Sequence, residues 1–351
     1  QKNIDAFSLR GSRSMADPKG FLKNPRETPL TRPIQERVRD WNEIYLEQSE
    51  AKTRTQGARC MDCGVPFCQS PVGCPVENII PDWNDLAHRG RWKEALKVLH
   101  ATNNFTEFTG RLCPAPCESA CVLGINDDPV TIRVLESSII DRGFAEGWVE
   151  PILPVVETGR RVAIIGSGPS GLAAAQQLRR AGHGVTIFEK SDRAGGLLRY
   201  GIPDFKLEKR ILDRRLAQLE AEGVAFRFGI EVGAHLTLHD LRQSFDAVCI
   251  TIGAERPRDL NVPGRSLEGI VYAMDFLSAQ NRRTTKRPVT HDAHLTAHGK
   301  DVVIIGGGDT GADCLGTVLR QGCQSVAQIE ILPKPPSERD SSTPWPLWPL
   351  K

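Results

Sequence analysis

The chain has 351 residues, enough for two or three independent cores, and its 45 lysines and arginines nearly balance 43 aspartates and glutamates. No charge excess points to nucleic acid or to an anionic membrane surface, so neither is an expected partner. Charged residues interrupt every apolar run before the roughly 18 positions that a spanning helix needs. The ten cysteines, with no apolar signal core ahead of them, read as metal ligands and reduced thiols of a cytoplasmic protein, not as a disulfide framework.

Residues 1–14 precede Met15-Ala16-Asp17-Pro18 and read as a leader or tag outside the fold. Over 33–58, Ile34, Val38, Trp41, Ile44, Tyr45 and Leu46 recur at spacings of three and four, which predicts an amphipathic helix, and Trp83, Leu86, Trp92, Leu96, Val98 and Leu99 predict a second over 81–101. Between them lie Cys60, Cys63, Cys68 and Cys74, among Gly64, Pro66, Pro71, Gly73 and Pro75. Those residues forbid regular structure and leave the backbone free to wrap a ligand. Cys113, Cys117 and Cys121 form a second group, ahead of a predicted helix at 129–143 and a linker at 147–159. Soft thiolates at such spacing hold either iron in clusters or zinc.

From Arg161 the pattern becomes strand-turn-helix-strand: Val162–Ile165, then Gly166-Ser167-Gly168-Pro169-Ser170-Gly171, a helix to Ala181, and Val185–Phe188. In such a fingerprint the first glycine permits the tight turn, the second lets backbone approach a pyrophosphate, and the third lets helix and strand pack closely. Glu189, followed by Lys190, ends the second strand 18 residues past Gly171, placed to take ribose hydroxyls. FAD and NAD both remain open from this motif. Another apolar strand is predicted at Ala247–Thr251. The spacing returns in Gly306-Gly307-Gly308-Asp309-Thr310-Gly311, after the strand Val302–Ile305. The strand predicted over 325–332 leads into Pro333-Lys334, with Arg339 further on; cations there favour a 2′-phosphate and hence NADP, while Glu330, read as inside that strand, would favour NAD. Cys249, Cys314 and Cys323 read as ordinary core or turn thiols.

Two dinucleotide units in one chain suit hydride transfer from a pyridine nucleotide to a flavin, and one-electron iron–sulfur carriers then give the cysteines a purpose that redox-inert zinc cannot. The strings Ala58-Arg59-Cys60-Met61-Asp62-Cys63-Gly64-Val65-Pro66-Phe67-Cys68, Ile80–Leu86 and Gly110-Arg111-Leu112-Cys113-Pro114-Ala115-Pro116-Cys117-Glu118-Ser119-Ala120-Cys121 resemble the small, or beta, subunit of bacterial NADPH-dependent glutamate synthase over essentially Met15 to Lys351. That family is similar to the reductase half of dihydropyrimidine dehydrogenase, with two 4Fe-4S clusters in crossed ligation. The resemblance implies Cys60, Cys63, Cys68 and Cys121 on one cluster and Cys74, Cys113 and Cys117 on the other, with Glu136 as the eighth ligand where the relative has a glutamine. Five residues separate Cys68 from Cys74, with Ser70-Pro71-Val72 resembling an insertion.

The resemblance further implies FAD at the first fingerprint (Gly166, Gly168, Pro169, Ser170, Gly171, Glu189, Lys190), with Gly195, Gly196, Leu197, Arg199 and Ile202 near the flavin and Thr251, Gly253 and Ala254 closing on it. NADPH is implied at the second (Gly306, Gly308, Asp309, Thr310, Gly311, Lys334, Arg339). The expected fold is a Rossmann-like α/β flavoprotein with two dinucleotide-binding units, preceded by an α-helical iron–sulfur domain: residues 15–150 for the clusters, 159–299 for FAD and 300–351 for an incomplete NADPH domain, the carboxyl end being read as truncated because members of the family continue past it. The implied role is electron input from NADPH, through FAD and two 4Fe-4S clusters, to the large (alpha) subunit that makes L-glutamate from glutamine and 2-oxoglutarate. No catalytic side chain is expected, since the chemistry belongs to cofactors. The alternatives are the flavin subunit of another NADPH-linked oxidoreductase of the ferredoxin-NADP type, and a non-catalytic zinc-stapled interaction module.

Overall fold

The computed structural model describes residues 17–286 and 295–349, and in it the chain forms two units. The leader reading of residues 1–14 lies outside the described residues. Of the described residues, one unit comprises 17–30, Glu47–Trp148 and 335–349; the other comprises Thr31–Leu46, 149–286 and 295–334.

The first unit is helical: Glu50–Gly57, Ile80–His88, Trp92–His100, Thr106–Leu112 and Ile132–Ala145 pack around Trp83, Leu99, Leu123, Leu135, Ile139 and Ile140. Gly110 lets two of these helices touch, because a Cβ there would lie 2.8 Å from Ser137. The single helix expected over 81–101 is two, since Gly90 (φ +74) takes the left-handed conformation and the Arg91 N–H bonds back to the Leu86 carbonyl at 2.8 Å, ending the first. The helix expected over 33–58 is likewise corrected: only Ile34–Arg37 and Glu50–Gly57 are helical. Asp40 explains the break, because its carboxylate accepts the Asn42 N–H at 3.0 Å and pairs with Arg32, offering the backbone a turn in place of a helical ladder. Ser49 then caps the later helix, accepting from the Lys52 N–H.

In the second unit, β1 (Arg161–Ile165), β2 (Gly184–Glu189), β3 (Ala225–Phe228) and β4 (Ala247–Ile250) form a parallel sheet in the order β3-β2-β1-β4. The apolar continuity of β1 follows from its burial; Ala163 and Ile164 have no exposed surface. β5 (Asp301–Ile305) and β6 (Ser325–Ile329) form a separate parallel pair. The helices Pro169–Arg180 and Asp309–Gln321 leave β1 and β5 through their glycine turns. β6 is shorter than the predicted 325–332, so Glu330 follows the strand instead of lying within it.

The units divide the chain differently from the expected domains in two places. Residues 31–46 join the nucleotide unit, where the Ile44 N–H bonds the Phe205 carbonyl at 3.1 Å and the Arg320 Nε bonds the Asp40 carbonyl at 2.9 Å. The segment from Pro335 joins the helical unit, where the Trp345 ring packs on Phe67 with centroids 4.9 Å apart and its Nε1 donates to the Cys121 carbonyl at 3.3 Å. Among the described residues no helix is long and apolar enough to cross a membrane.

Candidate functional site

The cysteine loops are built so that backbone N–H groups aim at sulfur. Asp62 (φ +46) and Ala115 (φ +61) hold the left-handed conformation that side chains other than glycine rarely adopt. The turn at Ala115 directs its N–H to the Cys113 Sγ at 3.4 Å, and the N–H groups of Asp62 and Val65 likewise stabilise the Cys60 and Cys63 sulfurs. Burial is nevertheless the largest influence and pushes these thiols up, Cys60 to about 12.

The mutual fields of the thiols sort them into two sets. Cys60, Cys63 and Cys68 each feel Cys121, and Cys68 also feels Cys60 and Cys63. Cys113 and Cys117 instead feel Cys74 and Glu136. Glu136 is 5 % exposed; its Oε1 accepts from Asn103 Nδ2 at 3.2 Å and from the Thr109 hydroxyl. Burial raises its carboxyl to about 7, against the hydrogen bond from Thr109 and the charge of Arg133. Burial favours the neutral thiols, and a cationic centre placed among them would draw their protons off. Among the described residues no three His, Cys, Asp or Glu side chains close around a point fit for a single ion.

In the second unit the glycines of the first fingerprint divide their labour. Gly166 (φ +99) makes the turn, and a Cβ on Gly171 would lie 2.1 Å from the Gly166 carbonyl oxygen, so the helix sits on the turn. A Cβ on Gly168 would meet nothing within 4 Å, leaving the helix amino end open to a phosphate. Pro169 and Ser170 are exposed in the first turn of that helix. Glu189 is 6 % exposed; Oε2 accepts from the Ser167 N–H (3.0 Å) and hydroxyl (2.5 Å), and Oε1 from the Ser191 N–H (2.8 Å). Burial pushes this carboxyl up, but those hydrogen bonds outweigh it and hold the group below its ordinary value.

The Ser167 hydroxyl, missed in the sequence, also accepts the Gly195 N–H at 3.1 Å. A Cβ on Gly196 would approach the Gly168 Cα to 2.9 Å, so the Gly195-Gly196 loop lies against the fingerprint. Leu197 is exposed at its edge, but Arg199 turns inward, bonded to the Ala194 carbonyl and Asp213. The Ile202 carbonyl accepts from Lys209 Nζ at 2.7 Å. Thr251 closes the turn from β4, its hydroxyl 2.9 Å from the Ile165 carbonyl and 3.1 Å from that of Gly166. Gly253 and Ala254 continue from it on the exposed surface, and Lys190 pairs with Glu255.

The second fingerprint repeats the cradle. Gly306 (φ +120) turns, a Cβ on Gly311 would lie 2.2 Å from the Gly306 carbonyl oxygen, and Gly308 again faces open space, with Asp309 and Thr310 exposed beyond it. Lys334 lies on an exposed loop. Arg339 belongs to the helical unit, where its guanidinium donates to the carbonyls of Thr343, Leu347 and Ser119.

Two glycine cradles for dinucleotides, in a chain that also gathers soft thiolates into two sets, define an iron–sulfur oxidoreductase of the pyridine-nucleotide class. Comparison with known families agrees: residues 37–148 match the dihydropyrimidine dehydrogenase domain II, 4Fe-4S cluster, and residues 160–343 match the pyridine nucleotide-disulphide oxidoreductases. The glutamate synthase [NADPH] small chain of Mycobacterium tuberculosis is 59% identical over 340 residues, covering 96% of this chain and 69% of its own length. The same-named chain of Bacillus subtilis is 50% identical, covering 95% of this chain and 69% of its own length. Glutamate synthase [NADH] of Schizosaccharomyces pombe is also 50% identical, covering 94% of this chain but 16% of its own length. The chain belongs to the glutamate synthase small-chain family.

Proposed function

We propose that this protein is the electron-input subunit of glutamate synthase, oxidising NADPH and delivering electrons through FAD and two 4Fe-4S clusters to a large (alpha) subunit. That subunit makes L-glutamate from glutamine and 2-oxoglutarate, and the reaction takes place in the cytoplasm. When bound, the nicotinamide and flavin supply two-electron chemistry and the clusters one-electron chemistry.

The chain's own part is to hold and orient. Cys60, Cys63, Cys68 and Cys121 ligate one cluster, and Cys74, Cys113, Cys117 and Glu136 the other. The backbone N–H groups of Asp62, Val65 and Ala115 stabilise charge on three of those sulfurs. Gly166, Gly168, Gly171 and the Gly195-Gly196 loop admit the FAD pyrophosphate, with Glu189 fixing the turn. Gly306, Gly308 and Gly311 do the same for NADPH.

The observation that carries this reading is the sorting of the thiols, in which Cys121 joins a loop some 60 residues earlier while Cys74 joins Cys113 and Cys117. The test is anaerobic purification with quantification of iron, acid-labile sulfide, zinc and flavin, and a spectrum before and after NADPH. About eight irons and eight sulfides per chain, with FAD bleached by NADPH, are expected for two cubane clusters. Zinc without sulfide would overturn the proposal. Co-purification with a large amidotransferase subunit is expected; a ferredoxin partner instead would assign the chain to another complex.

A further inference from the structure

The two cradles are alike in one respect that the sequence spacing conceals. In the first, β1 and β2 pair Ile165 with Phe188, and Glu189 comes next; in the second, β5 and β6 pair Ile305 with Ile329, and Glu330 comes next. The two carboxylates have matching partners. Oε2 of Glu189 accepts the N–H of Ser167, the residue after the first glycine; Oε2 of Glu330 accepts the N–H of Gly307, also the residue after the first glycine. Oε1 of Glu189 accepts the N–H two residues on, from Ser191 at 2.8 Å, and Oε1 of Glu330 accepts the N–H two residues on, from Leu332 at 3.1 Å. Gly307 itself reflects this closeness, because a Cβ there would lie 2.5 Å from Glu330 Oε2.

One difference separates them. Glu189 is buried under its loop, whereas Glu330 is exposed at the carboxyl edge of β6, on the side where open-sheet proteins bind nucleotides. A carboxylate has about four acceptor directions; the N–H groups of Gly307, Leu332 and, at 2.7 Å, Ile331 take three and leave one for a ribose hydroxyl. An acid in this place receives the 2′- and 3′-hydroxyls of an adenosine ribose, and a 2′-phosphate would set negative charge against negative charge. Of the two cations that the sequence offers against this, Arg339 donates to the carbonyls of Thr343, Leu347 and Ser119, and Lys334 lies on an exposed loop.

We propose that Glu330 is the specificity-determining residue of the second cradle, reading the free 2′-hydroxyl, so that the site binds NADH as well as NADPH and binds NADH at least as tightly. This rests on the reading that the second fingerprint holds the pyridine nucleotide. Two relatives that are each 50% identical to this chain carry names with different nucleotides, NADPH for one and NADH for the other.

The test is calorimetric titration of the FAD-saturated protein with NAD⁺ and with NADP⁺, which reads binding without turnover. For the native chain the NAD⁺ dissociation constant should be no larger than that of NADP⁺. Glu330→Ala should weaken NAD⁺ and strengthen NADP⁺, shifting their ratio at least tenfold toward NADP⁺, and Glu330→Gln should shift it the same way by removing the charge alone. Far-UV circular dichroism and flavin content should be unchanged in both variants. A native preference for NADP⁺ of tenfold or more, or a ratio unmoved by both variants, overturns the proposal while leaving the nucleotide reading intact. Binding of neither nucleotide would instead remove the reading beneath it, and the proposal with it.

Discussion

Gly168 and Gly171 lie three residues apart in one loop, yet adding a methyl group to each should have opposite consequences. At Gly171 the new Cβ would sit 2.1 Å from the Gly166 carbonyl oxygen and 2.8 Å from the Thr251 hydroxyl. Neither neighbour yields freely: the Gly166 N–H is bonded to the Phe188 carbonyl at 2.8 Å, and the Thr251 hydroxyl is bonded to two carbonyls. Relief requires the helix to move by about 1 Å, and overpacking of that kind costs about 1–3 kcal/mol, of which the lower chain entropy of alanine returns about 0.4–1. Gly171→Ala should therefore lose stability by about 1–2 kcal/mol net. At Gly168 the backbone already lies at φ −65, and the Cβ would touch nothing. Its entropy gain offsets the weaker capping of alanine, so the change in stability should stay within about 0.5 kcal/mol. The methyl group would stand where the pyrophosphate must approach, so Gly168→Ala should purify without flavin. Urea unfolding of the apo chain by circular dichroism, with flavin absorbance after reconstitution, measures both. A Gly168→Ala protein that keeps its FAD, or one destabilised as much as Gly171→Ala, would refute the division of labour.

Other outcomes follow from the same geometry. Because the Glu189 carboxyl is held below its ordinary value, it contributes stability that is present above about pH 4.5 and lost as pH falls through its folded value; Glu189→Gln should flatten the acid limb of a urea-midpoint profile. Glu222 has no exposed surface and accepts from Arg180 at 2.6 Å, Gln218 at 2.9 Å and the Ile152 N–H at 3.2 Å, so Glu222→Ala should cost about 3–5 kcal/mol in the same measurement. Glu136→Ala should alter the electron paramagnetic signal or iron content of one cluster and leave the other intact, as should Cys74→Ser; Cys121→Ser should affect the opposite one. If Glu136→Ala changes neither, its ligand role is wrong.

What could be read in the sequence was what short-range chemistry decides. The apolar run Val162–Ile165, the glycine spacing and the acid that ends β2 are contained within one βαβ unit, and each lies where its local pattern put it. The helix expected over 33–58 failed because apolar spacing is blind to the Asp40 side chain competing for backbone N–H groups. Glu330 was read as inside the strand because apolar residues continue past the strand end, and only the register with β5 shows where pairing stops. The proposed partners of Cys121 lie far away in sequence, so spacing alone could not assign them; the family resemblance supplied the assignment.

The segment from Pro335 belongs to the helical unit, yet it is made only after the whole stretch Val149–Lys334. During synthesis, then, the cysteine-bearing unit waits for a late piece: Trp345, which packs on Phe67 and bonds the Cys121 carbonyl, leaves the ribosome after both glycine cradles. An excised fragment ending at Trp148 would contain every cysteine of the two sets and still expose an aromatic face at Phe67. Anyone isolating the cluster unit would need to restore that strap as a separate peptide or as a permuted fusion.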